Sequence, residues 1–480
     1  MLLHRALSPA LCLILVASWC HAQDSFFTDT GLLKSSEGNY ADVEPPVNDA
    51  PERQGPASLA AGGSEEETLG PTLAAYSQEG VQQPSIVEAP NSGSAPSGFE
   101  AVPDARRFEG PFSNNSRRYS IGTDLYSPPE FEGGLIVFGE NVAMKIGGYV
   151  KADFIYDFNP INSTDFFDPT CIPVGAPART NTRFHARQTR MSFDTRWAPD
   201  GNPVRIYVEG DFFGNDNSFR LRHAYGEIGS LLVGQTWTTF TDVAAAPSTL
   251  DFEGSVSNVN RRQAMVRWTR PVLHEDLTFA LAAENPQFDI VPPADITGDS
   301  RTPSPDLIAR LRLSKDWGQF QVASLYRLGG FQPTGERVIT GSAWGLNFTG
   351  TVLLTDTSKF YHQIVFGDGI GSYHGLPDAA PESATTDKVL RFTGWMVGYT
   401  RDWTDHLNSN FTYAENALDN SLLQSPDDVR GTTYLAANLI WEPVDRVNVG
   451  IEYLYGVREN VDREQGDAHR LQAAFIFYLP

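Results

Sequence analysis

From about Val142 to its end the chain alternates between apolar and polar side chains, and no other feature limits its fold as strongly. Across Met144 to Tyr156 the even positions (Met144, Ile146, Gly148, Val150, Ala152, Phe154, Tyr156) are apolar or small, and the odd positions (Lys145, Gly147, Tyr149, Lys151, Asp153) are mostly polar. Period two is the signature of a strand with one greasy and one wet face. The pattern returns in Val204, Ile206, Val208 and Phe212 against Arg205, Tyr207, Glu209 and Asp211. It returns again in Leu307, Ala309, Leu311 and Leu313 against Arg310 and Arg312. Candidate strands fall near 143–157, 183–197, 203–213, 218–229, 231–237, 261–271, 275–284, 305–317, 319–329, 338–354, 357–368, 388–402, 405–417, 430–442, 445–457 and 466–480. Sixteen is an even number, as single-chain bacterial barrels require.

The connections alternate in length. Short polar turns stand at Pro199-Asp200-Gly201-Asn202, Asp316-Trp317-Gly318, Asp402 to Asp405 and Pro443-Val444-Asp445, with long loops at 158–182, 238–260, 285–304, 369–387 and 458–465. Short turns on one rim and long loops on the other is the outer-membrane arrangement, and an even strand count puts the N-terminus on the short-turn, periplasmic side. Trp197, Trp237, Trp268, Trp317, Trp403 and Trp441 lie near strand ends, as an interfacial girdle would. A propeller would show a repeat of roughly 40–50 residues, and a sandwich of this length would need linkers between domains. Neither feature interrupts residues 142–480. The fold class is therefore all-β: a closed antiparallel transmembrane β-barrel of about 16 strands, preceded by a disordered N-terminal segment. A hydrophobic content of 41% fits, because lumen-facing positions dilute the lipid-facing ones.

Three parts follow. Residues 1–22 read as a signal peptide, with His4 and Arg5, an apolar stretch from Leu11 to Trp19, and a cleavage site at Cys20-His21-Ala22. An uncleaved anchor or a lipoprotein are the alternatives; bulky Trp19 before Cys20 argues against the second. Residues 23–140 hold nineteen Asp and Glu against six Lys and Arg, a net −13 of the chain's −23. Segments such as Glu44-Pro45-Pro46 and Gly62-Gly63-Ser64-Glu65-Glu66-Glu67 bury too little apolar surface to offset ordering entropy, which marks an acidic Pro/Ser/Gly-rich disordered tether. Residues 141–480 form the barrel domain. Cys12 and Cys20 leave with the signal, so Cys171 alone remains and no disulfide framework exists. No basic arm points to nucleic acid.

Four stretches resemble the DcaP-like family of outer-membrane porins: Lys145-Ile146-Gly147-Gly148-Tyr149-Val150-Lys151-Ala152-Asp153-Phe154, Arg183-Phe184-His185-Ala186-Arg187-Gln188-Thr189-Arg190, Tyr225-Gly226-Glu227, and Leu232-Val233-Gly234-Gln235-Thr236-Trp237-Thr238-Thr239-Phe240. The resemblance implies a sixteen-stranded homotrimeric barrel in the bacterial outer membrane, passing small hydrophilic and often anionic solutes. It also implies that the loop after the fifth strand folds inward to narrow the pore. Two departures stand out. Family members often carry a helical segment before the barrel, and outer-membrane barrels usually end on an aromatic residue, whereas here Phe477-Tyr478 is followed by Leu479-Pro480.

A porin does no bond chemistry; pore width and lining charge carry its function. The candidate basic lining is Lys151, Arg187, Arg190, Arg205, Arg220, Arg222, Arg261 and Arg267, most of it on the polar phase. The phase is clean for Lys151 and Arg205 and ambiguous for Arg187 and Arg220. The candidate constriction loop, Thr238 to about Asn260, carries Asp242, Asp251 and Glu253 among small residues. Two arrangements satisfy the phase. The arginines face the loop acids across the pore, or they are ordinary lumen charges paired with one another. His185, His223 and His469 lie on separate strands without ligand spacing, no G-x-S-x-G turn appears, and no metal, cofactor or enzyme activity is expected. The alternative function is an outer-membrane anchor whose tether binds the cell wall or an envelope partner.

Overall fold

The computed structural model describes residues 135–136, 142–197, 204–292, 296–383 and 388–479. The signal peptide and nearly all of the tether lie outside the described residues. Within them the chain closes into one antiparallel barrel. Its sixteen strands are β1 (Val142–Asp157), β2 (Asn181–His185 with Arg190–Trp197), β3 (Val204–Asp211), β4 (Arg220–Ile228), β5 (Leu231–Trp237), β6 (Arg262–Val272), β7 (His274–Glu284), β8 (Asp306–Lys315), β9 (Gly318–Pro333), β10 (Ile339–Thr355), β11 (Ser358–Asp368), β12 (Arg391–Thr404), β13 (Leu407–Asp419), β14 (Val429–Val444), β15 (Val447–Asn460) and β16 (Gln465–Tyr478). Each strand pairs with its sequence neighbours, and β16 closes on β1 through Arg470↔Asp157 to Tyr478↔Tyr149. Closure is what makes the sheet compatible with a bilayer, since it leaves no edge whose N–H and C=O groups would face hydrocarbon unpaired.

The period-two pattern is realised with the expected faces. On β1 the odd residues Lys151, Asp153, Ile155 and Asp157 are buried, while Ile146, Val150, Phe154 and Tyr156 are exposed on the outside. Ile206 on β3, and Leu307 and Leu311 on β8, point outward; Arg205, Glu209, Arg310 and Arg312 point inward. Loops L1 to L8 (158–180, 212–219, 238–261, 285–305, 334–338, 369–390, 420–428 and 461–464) alternate with turns at 229–230, 273, 316–317, 356–357, 405–406 and 445–446. Two expected turns move, because β12 continues through Thr404 and β14 through Val444. The turn expected at Pro199-Asp200-Gly201-Asn202 lies outside the described residues.

Two further departures have physical causes. β2 is broken at 186–189: Asp153↔His185 and Tyr149↔Arg190 bracket three residues on β1 but four on β2. The strands come closest at Gly148, whose φ is +133°; a Cβ there would stand 2.2 Å from the Arg190 carbonyl oxygen, so only glycine fits. Leu135–Ile136 pairs with Ala143–Met144, so backbone pairing begins before the expected boundary at 141. Trp268, Trp317, Trp403 and Trp441 are exposed at the turn rim, and Trp237 stands at the loop end of β5.

Candidate pore constriction

Loop L3 turns into the barrel, and the hydrogen bonds of its main chain explain why it stays there. Asn347 Nδ2 donates to the Phe240 carbonyl at 2.8 Å, Gln321 to that of Thr241 at 3.0 Å, and Thr351 to that of Ala244 at 3.0 Å. Further along, Asn438 donates to Ser248 O at 2.8 Å and Lys151 to Leu250 O at 2.5 Å. The Glu452 carboxylate accepts the Leu250 and Asp251 amides at 2.8 and 2.7 Å. On the return leg Gln363 donates to Ser257 O at 2.6 Å, and Ser257 Oγ to Glu415 O at 2.7 Å. These partners belong to β1 and β9–β15. None of these anchors lies on β2–β5. The wall is thinned where the loop rests: a Cβ on Gly450 would come within 2.9 Å of the Leu250 side chain. L6 and L1 fill the same half, placing Ile370, Tyr373 and Leu376 against Phe240, and Phe167 and Ile172 near Ala245.

The uncovered arc, β2 to β6, carries the arginines. Arg205 pairs with Asp194 at 3.1 Å and Glu227 at 3.4 Å, and lies over Tyr207 and Tyr225. Arg222 pairs with Glu209 at 2.8 Å and Asp211 at 2.9 Å; Arg220 pairs with Asp211 at 2.8 Å. Arg190 reaches Glu209 only at 3.7 Å, lies over Tyr149, and has a buried Nε without a hydrogen-bond acceptor. Arg262, which the sequence reading passed over, stacks on Trp237 with its guanidinium carbon 4.4 Å from the ring centre. Among the described residues no carboxylate lies within ion-pair distance of it. Arg190, Arg220 and Arg222 all act on Arg262 through space.

The other expected basic residues do different work. Lys151 is fully buried beneath L3, bonded to Gln188 and Leu250 O and paired with Asp153 at 3.2 Å, so it anchors the loop and does not line open pore. Arg187 sits in the β2 break and ties L1 to L2 through Asp165 and Gly214 O. Burial works to raise Asp165, yet hydrogen bonds from Arg183 and Arg187 hold its carboxyl below the usual range. Arg261 donates to Ser372 O at 2.8 Å and bonds Gln287, joining L6 and L4 at the mouth. Arg267 is half-buried nearer the turn rim.

Of the three loop acids only Glu253 faces the arginine wall, which corrects the expectation for the other two. Asp242 turns to β8–β10, pairing with Arg312 at 3.4 Å and accepting from Gln319 at 2.7 Å and from Thr349. Asp251 accepts the Phe167, Gly254 and Glu253 amides at 2.7, 2.9 and 3.2 Å. Each is consumed in holding the loop's shape. Burial pushes the Glu253 carboxyl up to about 7, with Asp168 and Asp251 adding to the rise and Arg262 and Arg220 opposing it. Beside it, Phe252 lies under Arg220 and Arg222 at 5.4 and 5.8 Å. Another structural centre escaped sequence reading: fully buried Arg327, which pairs with Asp306 at 3.1 Å and Asp378 at 3.4 Å and bonds Ser372, knitting β8, β9 and L6. Among the described residues no His, Cys, Asp and Glu cluster has the geometry of a metal site.

The family model for the DcaP outer membrane protein matches residues 136–475, most of the chain and all of the barrel but the end of its last strand. The chain belongs to the DcaP outer membrane protein family. Its barrel is similar to the outer membrane channel DcaP of Acinetobacter baumannii, with 20% identity and a TM-score of 0.64 over 72% of this chain and 100% of that one. Weaker likenesses, too remote to carry weight, are to OmpT of Vibrio cholerae (10% identity, TM-score 0.47, 72% of this chain and 100% of that one) and to an anion-selective porin from Comamonas acidovorans (9%, 0.47, 70% and 100%). No curated protein matches the chain. Family and fold together make this DcaP-family member a porin of the bacterial outer membrane and point to a channel rather than an enzyme.

Proposed function

We propose that this porin lets small hydrophilic solutes, anions in preference, diffuse passively between L3 and the β2–β6 wall. The observation that carries the reading is the imbalance across that gap. Asp194, Glu209, Asp211 and Glu227 answer Arg190, Arg196, Arg205, Arg220 and Arg222, while Arg262 lies over a ring and, among the described residues, has no carboxylate within ion-pair distance. Glu253 is the one loop acid turned toward them. Fixed charge in a narrow, partly desolvated section selects by sign, and a wall whose carboxylates are mostly occupied gives a modest preference, not an exclusive one. Matched-size anionic, neutral and cationic solutes offered to proteoliposomes test this directly. Entry in the order anion, neutral, cation supports the reading, and equal or inverted entry contradicts it.

The chain acts as a homotrimer in this reading, supported by an outward aromatic cluster where β16, β1 and β2 meet. Phe154 contacts Phe184 at 4.8 Å and Phe475 at 5.8 Å. Light scattering in detergent reads the mass; a monomer with full conductance contradicts the trimer alone.

A further inference from the structure

L2 leaves β3 at Asp211 and returns to β4 within eight residues, and it does so through two left-handed positions, Asp216 (φ 54°) and Asn217 (φ 61°), closed by a Gly214 N–H to Ser218 carbonyl bond of 3.1 Å. The reversal presents Phe213 to the lumen, where its ring stacks on Phe252 of L3 with centroids 4.0 Å apart and planes 19° from parallel. Guanidiniums surround the pair. Arg187 lies 5.0 Å over Phe213, Arg220 lies 5.6 Å from Phe213 and 5.4 Å from Phe252, and Arg222 lies 5.8 Å from Phe252. His185 meets the Phe213 ring edge-on at 5.9 Å.

Among the described residues this is where a ring of L3 reaches across to the arginine arc, and the contact is aromatic and cationic. We propose that the Phe213–Phe252 stack is a latch, with Phe252 the positioning residue that fixes the loop tip against the wall and so sets both the aperture and the spacing between Glu253 and the arginines. The neighbours of Phe252 are bonded away from the arc, Leu250 and Asp251 to Glu452, and Glu253 and Gly254 to Asp251 within the loop. What Phe252 itself offers the arc is its ring, so that contact can open without unmaking the loop's anchors. Two properties follow. The latched tip keeps guanidinium faces covered by rings while their N–H groups stay paired with Asp165, Asp211 and Glu209. The unlatched tip leaves a wider aperture in which the wall charges are farther from passing ions.

The inference rests on the reading of the chain as a diffusion pore, and single-channel recording of the refolded full-length protein separates the two. If the wild-type protein inserts and never conducts, the diffusion reading itself fails. If it conducts, the latch is tested by Phe252→Leu, Phe213→Leu, the double variant and Phe252→Tyr. The latch predicts a higher conductance and weaker charge discrimination in each leucine variant, which keeps apolar bulk but loses the ring. Each raises the unlatched population by about tenfold, the equivalent of about 1.4 kcal/mol. The double variant must resemble either single one, since both break the same contact, and Phe252→Tyr must behave as wild type. Leucine variants that match wild type in conductance and in reversal potential overturn the latch, and so do additive effects of the two changes. The three substitutions lie in loops outside the strand pairing, and unchanged β-content by circular dichroism confirms that a conductance change comes from the lumen.

Discussion

At the scale of single residues, the lumen separates charges that hold structure from charges that meet solute, and partner count is what distinguishes them. Lys151, Arg187, Arg327 and Asp242 each reach two or more groups on different elements. Removing such a group strands its buried partners, which costs several kcal/mol. Arg190 and Arg262 have rings beneath them and few acceptors, so their charge remains available. Substituting Arg262 with Gln is therefore expected to lower anion preference while leaving thermal stability nearly unchanged, whereas Lys151→Met lowers stability and makes conductance noisier; melting curves beside bilayer traces separate the two outcomes. Glu253 adds a pH dependence. With its carboxyl at about 7, falling pH through neutrality protonates it and removes the negative charge opposite Arg220 and Arg262. Anion preference should thus be stronger at pH 5 than at pH 9, and Glu253→Gln should hold the low-pH value throughout. A preference that strengthens as pH rises contradicts the assignment.

At the scale of elements, L3 is a loop that behaves as part of the wall. Its anchors are single buried acceptors and donors, and Glu452 is the most concentrated of them, taking two consecutive amides. Glu452→Ala leaves both amides buried without an acceptor, at about 1–3 kcal/mol each. The expected result is a detached loop in an intact barrel: larger, flickering conductance with unaltered β-content, whereas a steady wild-type conductance means that the anchor is dispensable. The strands themselves were legible in the sequence because a closed barrel repeats one rule along its whole length. Each side chain's face depends only on its own phase, so Arg205, Lys151 and Glu209 could be placed in the lumen without any tertiary knowledge. The loop anchors obey no such rule. Leu250 meets Glu452 across 202 positions, and nothing local in either segment announces it. Arg262 was missed for a related reason: it is the first residue of β6, where phase has not yet been set, and Arg261 beside it was the more visible choice. Arg310 and Arg312, by contrast, carried a clean phase and were left out of the candidate lining without structural cause.

At the scale of the whole molecule, the barrel is stable because its strands pair around a closed ring and its outer surface is apolar, with the lumen free to be polar. That division predicts position-dependent tolerance. Leu311, outward and mid-strand on β8, should cost about 2–4 kcal/mol when changed to Arg, because the charge meets hydrocarbon near the midplane. Urea titration in lipid vesicles measures it, and an unchanged midpoint contradicts the outward assignment. The asymmetry of the lumen is the other global property: one half filled by L1, L3 and L6, the other half a wall of arginines. The most direct test of that picture is the reversal potential of the refolded chain in a planar bilayer under a potassium chloride gradient, compared with the Arg190→Glu, Arg262→Glu double variant. A wild-type potential of the sign that favours chloride, reduced or inverted in the variant, is the predicted result. A potential at zero or on the potassium side, or one that the double variant leaves untouched, contradicts it.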